Sequence, residues 1–396
     1  MSAGQEATRL ATVWDDLVGQ RPAITALRRA AGGDGMTHSW LFTGPPGSGR
    51  SNAAMAFAAA LQCDAEAMGD RGCGRCKACH TVMAGSHPDV TVVRTELLSI
   101  GVDEVRELVR RAALSPVGER WQVLVVEDSD RLTEQASNAL LKAIEEPTAR
   151  TVWLLCAPTV EDVLPTIRSR SRLVALTTPT AEDVTDFLVR TLGVEEPLAA
   201  HAARASQGHI GRAKALARDE ATRARRNEIV QLPTRLTSLG ACMTAAATLA
   251  SVTKEEAEAV TAELDAREKA DLAAAHGVVE RGRRPREYGP ALAALEKSQK
   301  TRAKRRQLDV VDRGLMDLVS VYRDAIALSA GAPGRLVNEE VRGDVAKLAR
   351  AVSAEELLGM IDAIFTAREQ MLEFNVPVAL ALESMMVALR LPSGAR

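Results

Sequence analysis

Five short, uniformly apolar runs recur through the first half of the chain: SWLFTG (39–44), DVTVVR (89–94), WQVLVVED (121–128), TVWLLCA (151–157) and RLVAL (172–176). Runs of this length without apolar–polar alternation predict strands covered on both faces, as in parallel sheets flanked by helices. Between them, SNAAMAFAAALQC and TEQASNALLKAIEE read as helices. The second opens on Thr133 as an N-cap and has to stop before Pro147. Strand and helix patterns alternate in this way over residues 1–179, which predicts a parallel α/β sheet domain.

After TTPTAEDV (177–184) no strand pattern returns. Thr180 followed by Asp183 predicts a new helix opened by a capping-box variant. Residues 180–219 read as a small helical segment and 220–396 as a larger all-helical domain. Within the latter, 253–306 is unusual. A charged helix, KEEAEAVTAELDAREKADL, precedes a basic run with ten Lys or Arg against two Glu between Arg281 and Arg306. Such a run is either a solvated face or a local DNA contact.

Composition narrows the class. A chain of 396 residues exceeds one ordinary core and predicts two or three domains. With 46% hydrophobic residues, 26% charged and a net charge of −2, there is no broad electrostatic pull toward nucleic acid or membrane. The first residues carry no basic stretch followed by an apolar one, and no run of 18 apolar residues occurs, so the expected location is cytoplasmic. Aromatics are only 3%, which leaves core packing to Leu, Val, Ile and Ala.

GPPGSGRS (Gly44–Ser51) fits the phosphate-binding P-loop pattern except that Arg50 stands at the lysine position. Gly44, Gly47 and Gly49 let backbone N–H groups point at a phosphate, at the N-terminus of the following helix. Arg50 keeps the positive charge but not the compact shape, and Ser51 is the expected magnesium ligand. The alternative is a glycine turn that binds no nucleotide. At the end of the 121–128 run a hydrolase wants Asp and then Glu, whereas this chain has Glu127 and then Asp128. Misplacing a catalytic carboxylate by about 1 Å can cost roughly a hundredfold in rate. Binding of ATP or ADP is therefore expected to outlive hydrolysis, which is expected to be weak or absent.

Cys63, Cys73, Cys76 and Cys79 fall within 17 residues as a lone cysteine and two overlapping C-x-x-C units. Four thiolates at this spacing predict a closed, structural zinc site, with His80 as the rival fourth ligand to Cys63. Cys156 and Cys242 read as small apolar packing residues.

In order, VWDDLVGQ (13–20), HSWLFTGPPGSGRS, the four cysteines, VLVVEDSDRL, SNALLKAIEEP (137–147) and TIRSRSRL (166–173) resemble the clamp-loader branch of the AAA+ ATPases that serves bacterial DNA polymerase III. The resemblance implies an AAA+ P-loop domain with a zinc-binding insertion at 63–79, a helical lid and an all-helical collar. It makes Arg170, between Ser169 and Ser171, the arginine finger offered to a neighbour's ATP. Asp16, Val18 and Gln20 fall at the box that borders the adenine, with Val18 as its contact. Ala157 and Pro158 replace the polar sensor residue, and Arg212 lies one place beyond the second sensor position at Gly211. The implied partners are gamma/tau and delta subunits in a hetero-oligomer, and through them the sliding clamp and primed DNA, with no membrane. The implied function is a non-motor loader subunit. The alternatives are an ATP-hydrolysing motor of the same loader and a zinc-containing nucleic-acid-binding module.

Overall fold

The computed structural model describes residues 11–95, 99–276, 285 and 287–392. The chain divides into two compact units, Met1–Arg218 and Asp219–Arg396.

The first unit runs α1 (Arg21–Ala31), β1 (Ser39–Thr43), α2 (Arg50–Gln62), α3 (Lys77–Met83), β2 (Val90–Val93), α4 (Val102–Ala112), β3 (Gln122–Val126), α5 (Glu134–Glu145), β4 (Thr151–Ala157), α6 (Pro165–Arg168) and β5 (Arg172–Ala175). All strand pairs are parallel, in the order β2-β3-β4-β1-β5. Every residue of β1, β3 and β4 is buried. β5 departs from the doubly covered expectation, because only Val174 is buried and Leu173 is 51% exposed. It is the last strand of the order and pairs with β1 alone.

One core, on which α2 packs its alanines and Phe57, lies against one face of the sheet; a second, with α4 and α5, lies against the other. The Thr133 side chain accepts the Ala136 N–H as the N-cap of α5. Three helices then form a small bundle: α7 (Ala181–Leu192), α8 (Glu196–Ser206) and α9 (Ile210–Arg218). Thr180 caps α7 by accepting the Asp183 N–H at 3.1 Å. Val184, Phe187, Leu188, Ala199 and Leu216 make the core of this bundle.

The second unit is wholly helical among its described residues: α10 (Glu220–Val230), α11 (Leu239–Ala275, 37 residues), α12 (Tyr288–Ser329, 42 residues), α13 (Arg342–Ala351), α14 (Ala354–Leu372) and α15 (Val378–Ala388). Of the charged 253–306 stretch, residues 253–275 lie in α11 and 288–306 in α12, and these two helices pack on each other. Arg302 is buried there and donates to Glu268 at 2.6 and 2.9 Å and to Asp265. Arg281, Arg283, Arg284 and Arg286, from the basic run, lie outside the described residues. On α10, Arg226 is 4% exposed and pairs with Asp317, Glu340 and Asn338. Asp324 accepts the N–H groups of Val337 and Asn338. Charges so deeply buried persist only when paired and hydrogen-bonded.

No helix among the described residues is long and apolar enough to cross a membrane.

Candidate functional site

The phosphate loop leaves the C-terminal end of β1, between β4 and β5, and runs into α2. Gly44, Gly47 and Gly49 have φ of +154°, +82° and +94°, values that other residues rarely adopt, and Gly49 is the N-cap of α2. The Gly44 N–H donates to the Pro158 carbonyl at 3.1 Å, so the loop is tied to the chain just after β4. Ser48 is 3% exposed, and its Oγ has no partner among the described residues. Ser51 is half-buried in the first turn of α2.

Arg50 does not project from the loop. Its Nη1 donates to the Gly44 carbonyl at 2.7 Å, closing the turn on itself. The three-helix bundle also touches the loop. The Ile210 N–H donates to the Gly47 carbonyl at 3.3 Å, and a Cβ on Gly47 would lie 2.2 Å from His209 Cγ. Arg212 sits one turn into α9, where its N–H donates to His209 Nδ1 at 3.2 Å.

At the end of β3 the two carboxylates have different surroundings. Arg94 grips Glu127 with two hydrogen bonds, 2.6 Å from Nε and 3.2 Å from Nη2, and the Glu127 side chain is 8% exposed. Asp128 is 4.0 Å from Arg131. Burial, reinforced by the nearby Asp128 charge, pushes the Asp130 carboxyl above its usual range. Glu127 is thus already neutralised by a cation of its own chain, where a hydrolase needs a carboxylate committed to magnesium or water. Sequence reasoning missed Arg94. The signal was the register: Val93 pairs with Val126, which sets the next residue of each strand side by side.

Asp16 is exposed, while Gln20 is buried and clamps the backbone of Thr177, donating to its carbonyl at 2.7 Å and accepting its N–H at 3.1 Å. Val18 is buried in the core of the three-helix bundle among Val184 and Phe187.

Arg170 lies at the other end of the sheet. It follows α6, and the next residue, Ser171, is 2.8 Å through its Oγ from that of Ser39, the first residue of β1. The phosphate loop begins after Thr43, the last residue of that strand. At about 3.3 Å per residue the two ends of β1 are about 13 Å apart. The Arg170 side chain is 41% exposed, 2.8 Å from Glu145, and donates to the Thr166 carbonyl at 3.0 Å.

The four thiols converge. The sulfurs of Cys63, Cys73, Cys76 and Cys79 all lie within 4.8 Å of one another, and Cys63 and Cys76 are 3.9 Å apart. A tetrahedral zinc with Zn–S bonds of about 2.3 Å places its sulfurs about 3.8 Å apart, so this donor set could hold a metal ion. Cys63 ends α2, while Cys76 caps α3 and accepts the Cys79 N–H at 3.4 Å, an outer contact that orients the sulfur. Burial raises the Cys76 and Cys79 thiols. At Cys73 burial also raises the thiol, but N–H groups of Arg75 and Cys76 aimed at the sulfur outweigh it and bring it down to about 7. His80 is exposed and outside the cluster. The cluster loop is pinned to the N-terminal segment: Trp14 Nε1 donates to the Arg71 carbonyl at 3.1 Å, and Gly72, at φ +85°, leaves no room for a Cβ beside that ring. Cys156 and Cys242 are buried in β4 and α11 and are not members of the cluster.

Two family models, both described as the DNA polymerase III delta subunit, match residues 19–180 and, for its C-terminal part, 308–390. The DNA polymerase III subunit delta' of Pseudomonas aeruginosa is 38% identical over 157 residues, 39% of this chain and 48% of that one. Subunit delta' of Escherichia coli is 34% identical over 181 residues, 45% and 54% of the two chains. The gamma/tau subunit of Mycobacterium tuberculosis is 35% identical over 157 residues, 39% and 27% of the two. The chain thus spans between about a quarter and about half the length of these relatives. With the two delta-subunit models together matching more than half of its residues, and relatives named subunit delta' at 34% and 38% identity, the chain belongs to the delta-prime subunits of DNA polymerase III.

Proposed function

We propose that this chain is a non-motor subunit of the DNA polymerase III clamp loader. It stands beside an ATP-hydrolysing subunit of gamma/tau type, together with delta, and helps load the sliding clamp on primed DNA in the cytoplasm. The observation that carries this reading is the position of Arg170 at the end of the sheet opposite its own phosphate loop. From there the guanidinium reaches a nucleotide only on another subunit, where a finger in trans can contribute a rate factor on the order of 10³ to 10⁵. Releasing it from Glu145, 39% exposed, costs little, because exposed ion pairs are worth at most about 1 kcal/mol.

The chain's own loop supports the same reading. Arg50 folded onto Gly44 and Glu127 held by Arg94 leave a cradle of backbone N–H groups without a hydrolytic set. Any ATP or ADP that reaches Gly44, Gly47, Gly49 and Ser51 is held rather than turned over, with Val18 and Arg212 in structural positions beside it. Cys63, Cys73, Cys76 and Cys79 hold a structural zinc that fastens α2 and α3 to the N-terminal segment. Residues 180–219 act as the lid, and 220–396 as the collar through which the subunit assembles.

The test is a loader reconstituted from this chain with purified gamma/tau and delta. Arg170→Ala is expected to leave assembly intact and to lower DNA-stimulated ATP hydrolysis by about a hundredfold or more at the affected site. An unchanged rate removes the finger role. ATP turnover by this chain alone that Arg50→Ala abolishes overturns the non-motor reading.

A further inference from the structure

Helix α14 carries a second ordered face. Its packed side is Leu357, Met360, Ile361, Ile364, Ala367 and Met371. Away from that side, Glu355, Leu358, Asp362, Phe365, Glu369 and Leu372 follow one another at steps of three and four residues, and all six are exposed. Steps of three and four put them on a single seam about 26 Å long. Leu358, Phe365 and Leu372 are 54%, 45% and 43% exposed. None of the three carboxylates between them meets a cation among the described residues, although Arg342, Lys347 and Arg368 nearby in sequence each find an acid.

A merely solvated face has no reason to repeat a large apolar residue every seven positions, and a merely apolar face would not repeat a carboxylate between them. The alternation is that of the two core positions of a heptad, one apolar and one acidic. We propose that this seam docks a helix of a partner protein that presents apolar residues and Lys or Arg at matching heptad spacing. A second copy of this chain is the wrong occupant. Paired in either direction, two such seams would bring six carboxylates together, and like charges across a helix pair are destabilising. The same carboxylates exclude nucleic acid.

The test uses the full chain and two synthetic helical peptides of three heptads, one with Lys and Leu at the seam positions and one with Glu and Leu, measured by fluorescence anisotropy. The native chain is expected to favour the Lys/Leu peptide by about tenfold or more, since three charge pairs at about 0.5 kcal/mol each amount to one decade. Glu355→Lys, Asp362→Lys and Glu369→Lys combined are expected to reverse the preference. Leu358→Ser, Phe365→Ser and Leu372→Ser combined are expected to abolish binding, which separates docking from simple attraction between charges. All six positions are exposed, so helical content should not change, and circular dichroism checks this. Equal binding of the two peptides, a preference that survives charge reversal, or binding that survives the serine substitutions overturns the proposal. So does a dimer in light scattering that the lysine substitutions disrupt.

Discussion

Gly47→Ala probes the contact between the glycine loop and the α7–α9 bundle, and the structure supplies both parts of its cost. At φ +82° a side chain is forced into the left-handed region, which costs roughly 1–2 kcal/mol. The new methyl would also lie 2.2 Å from His209 Cγ and 2.6 Å from its Cα and Cβ, a clash with backbone as well as ring, and overpacking of this kind costs roughly 1–3 kcal/mol. The expected loss is about 2–5 kcal/mol. Gly49→Ala is the internal control: its φ is +94°, but nothing lies within 4 Å of the added carbon, so only the first part applies. The four tryptophans, Trp14, Trp40, Trp121 and Trp153, all belong to the first unit, so urea unfolding followed by tryptophan fluorescence reports that unit alone. His209→Ala in the Gly47→Ala background is expected to recover part of the loss, because it removes the ring but not the nearby backbone. If Gly47→Ala and Gly49→Ala agree within about 0.5 kcal/mol, the close docking of His209 on the loop is refuted.

Arg226→Ala is expected to destabilise the second unit by about 3–5 kcal/mol by removing the buried guanidinium that pairs with Asp317, Glu340 and Asn338, and Asp317→Asn in the same chain should restore part of this. Both tyrosines, Tyr288 and Tyr322, lie in that unit and report the transition in near-ultraviolet circular dichroism. Arg302 and then Gln299 donate to Glu268 and hold its carboxyl down at about 2, so its contribution to the α11–α12 pairing is fully present above the ordinary value of 4.5. That contribution is lost as pH falls from there toward 2, and Arg302→Met should flatten this part of the stability–pH curve. One zinc per chain is expected by metal analysis. Cys76→Ser should release it, and a strong chelator should change the emission of Trp14, which is bonded to the cluster loop.

The order of elements was readable in the residues themselves. Apolar runs without alternation gave five strands within two residues of their bounds, Thr133 and Thr180 marked helix starts by their own chemistry, and the cysteine spacing placed four thiols in one cluster. These are local properties: strand propensity, capping and short loop closure depend on neighbours in sequence. β5 looked as well covered as the rest because a pattern of apolar residues does not say which strand ends a sheet. What only the tertiary structure decided involves residues far apart in the chain. Parallel register sets Arg94 beside Glu127, 33 residues on. Packing of the α7–α9 bundle brings His209 onto Gly47, and packing of α10 on α12 brings Asp317 to Arg226. A tie between Ser39 and Ser171 puts Arg170 at the far end of the sheet from its own phosphate loop. The sequence by itself determined which groups are present and which elements carry them. Their pairing depends on the closure of loops tens to hundreds of residues long, and the free energy of that closure comes from burying whole faces of sheet and helix, so no short window of residues encodes which end of the sheet each group will face.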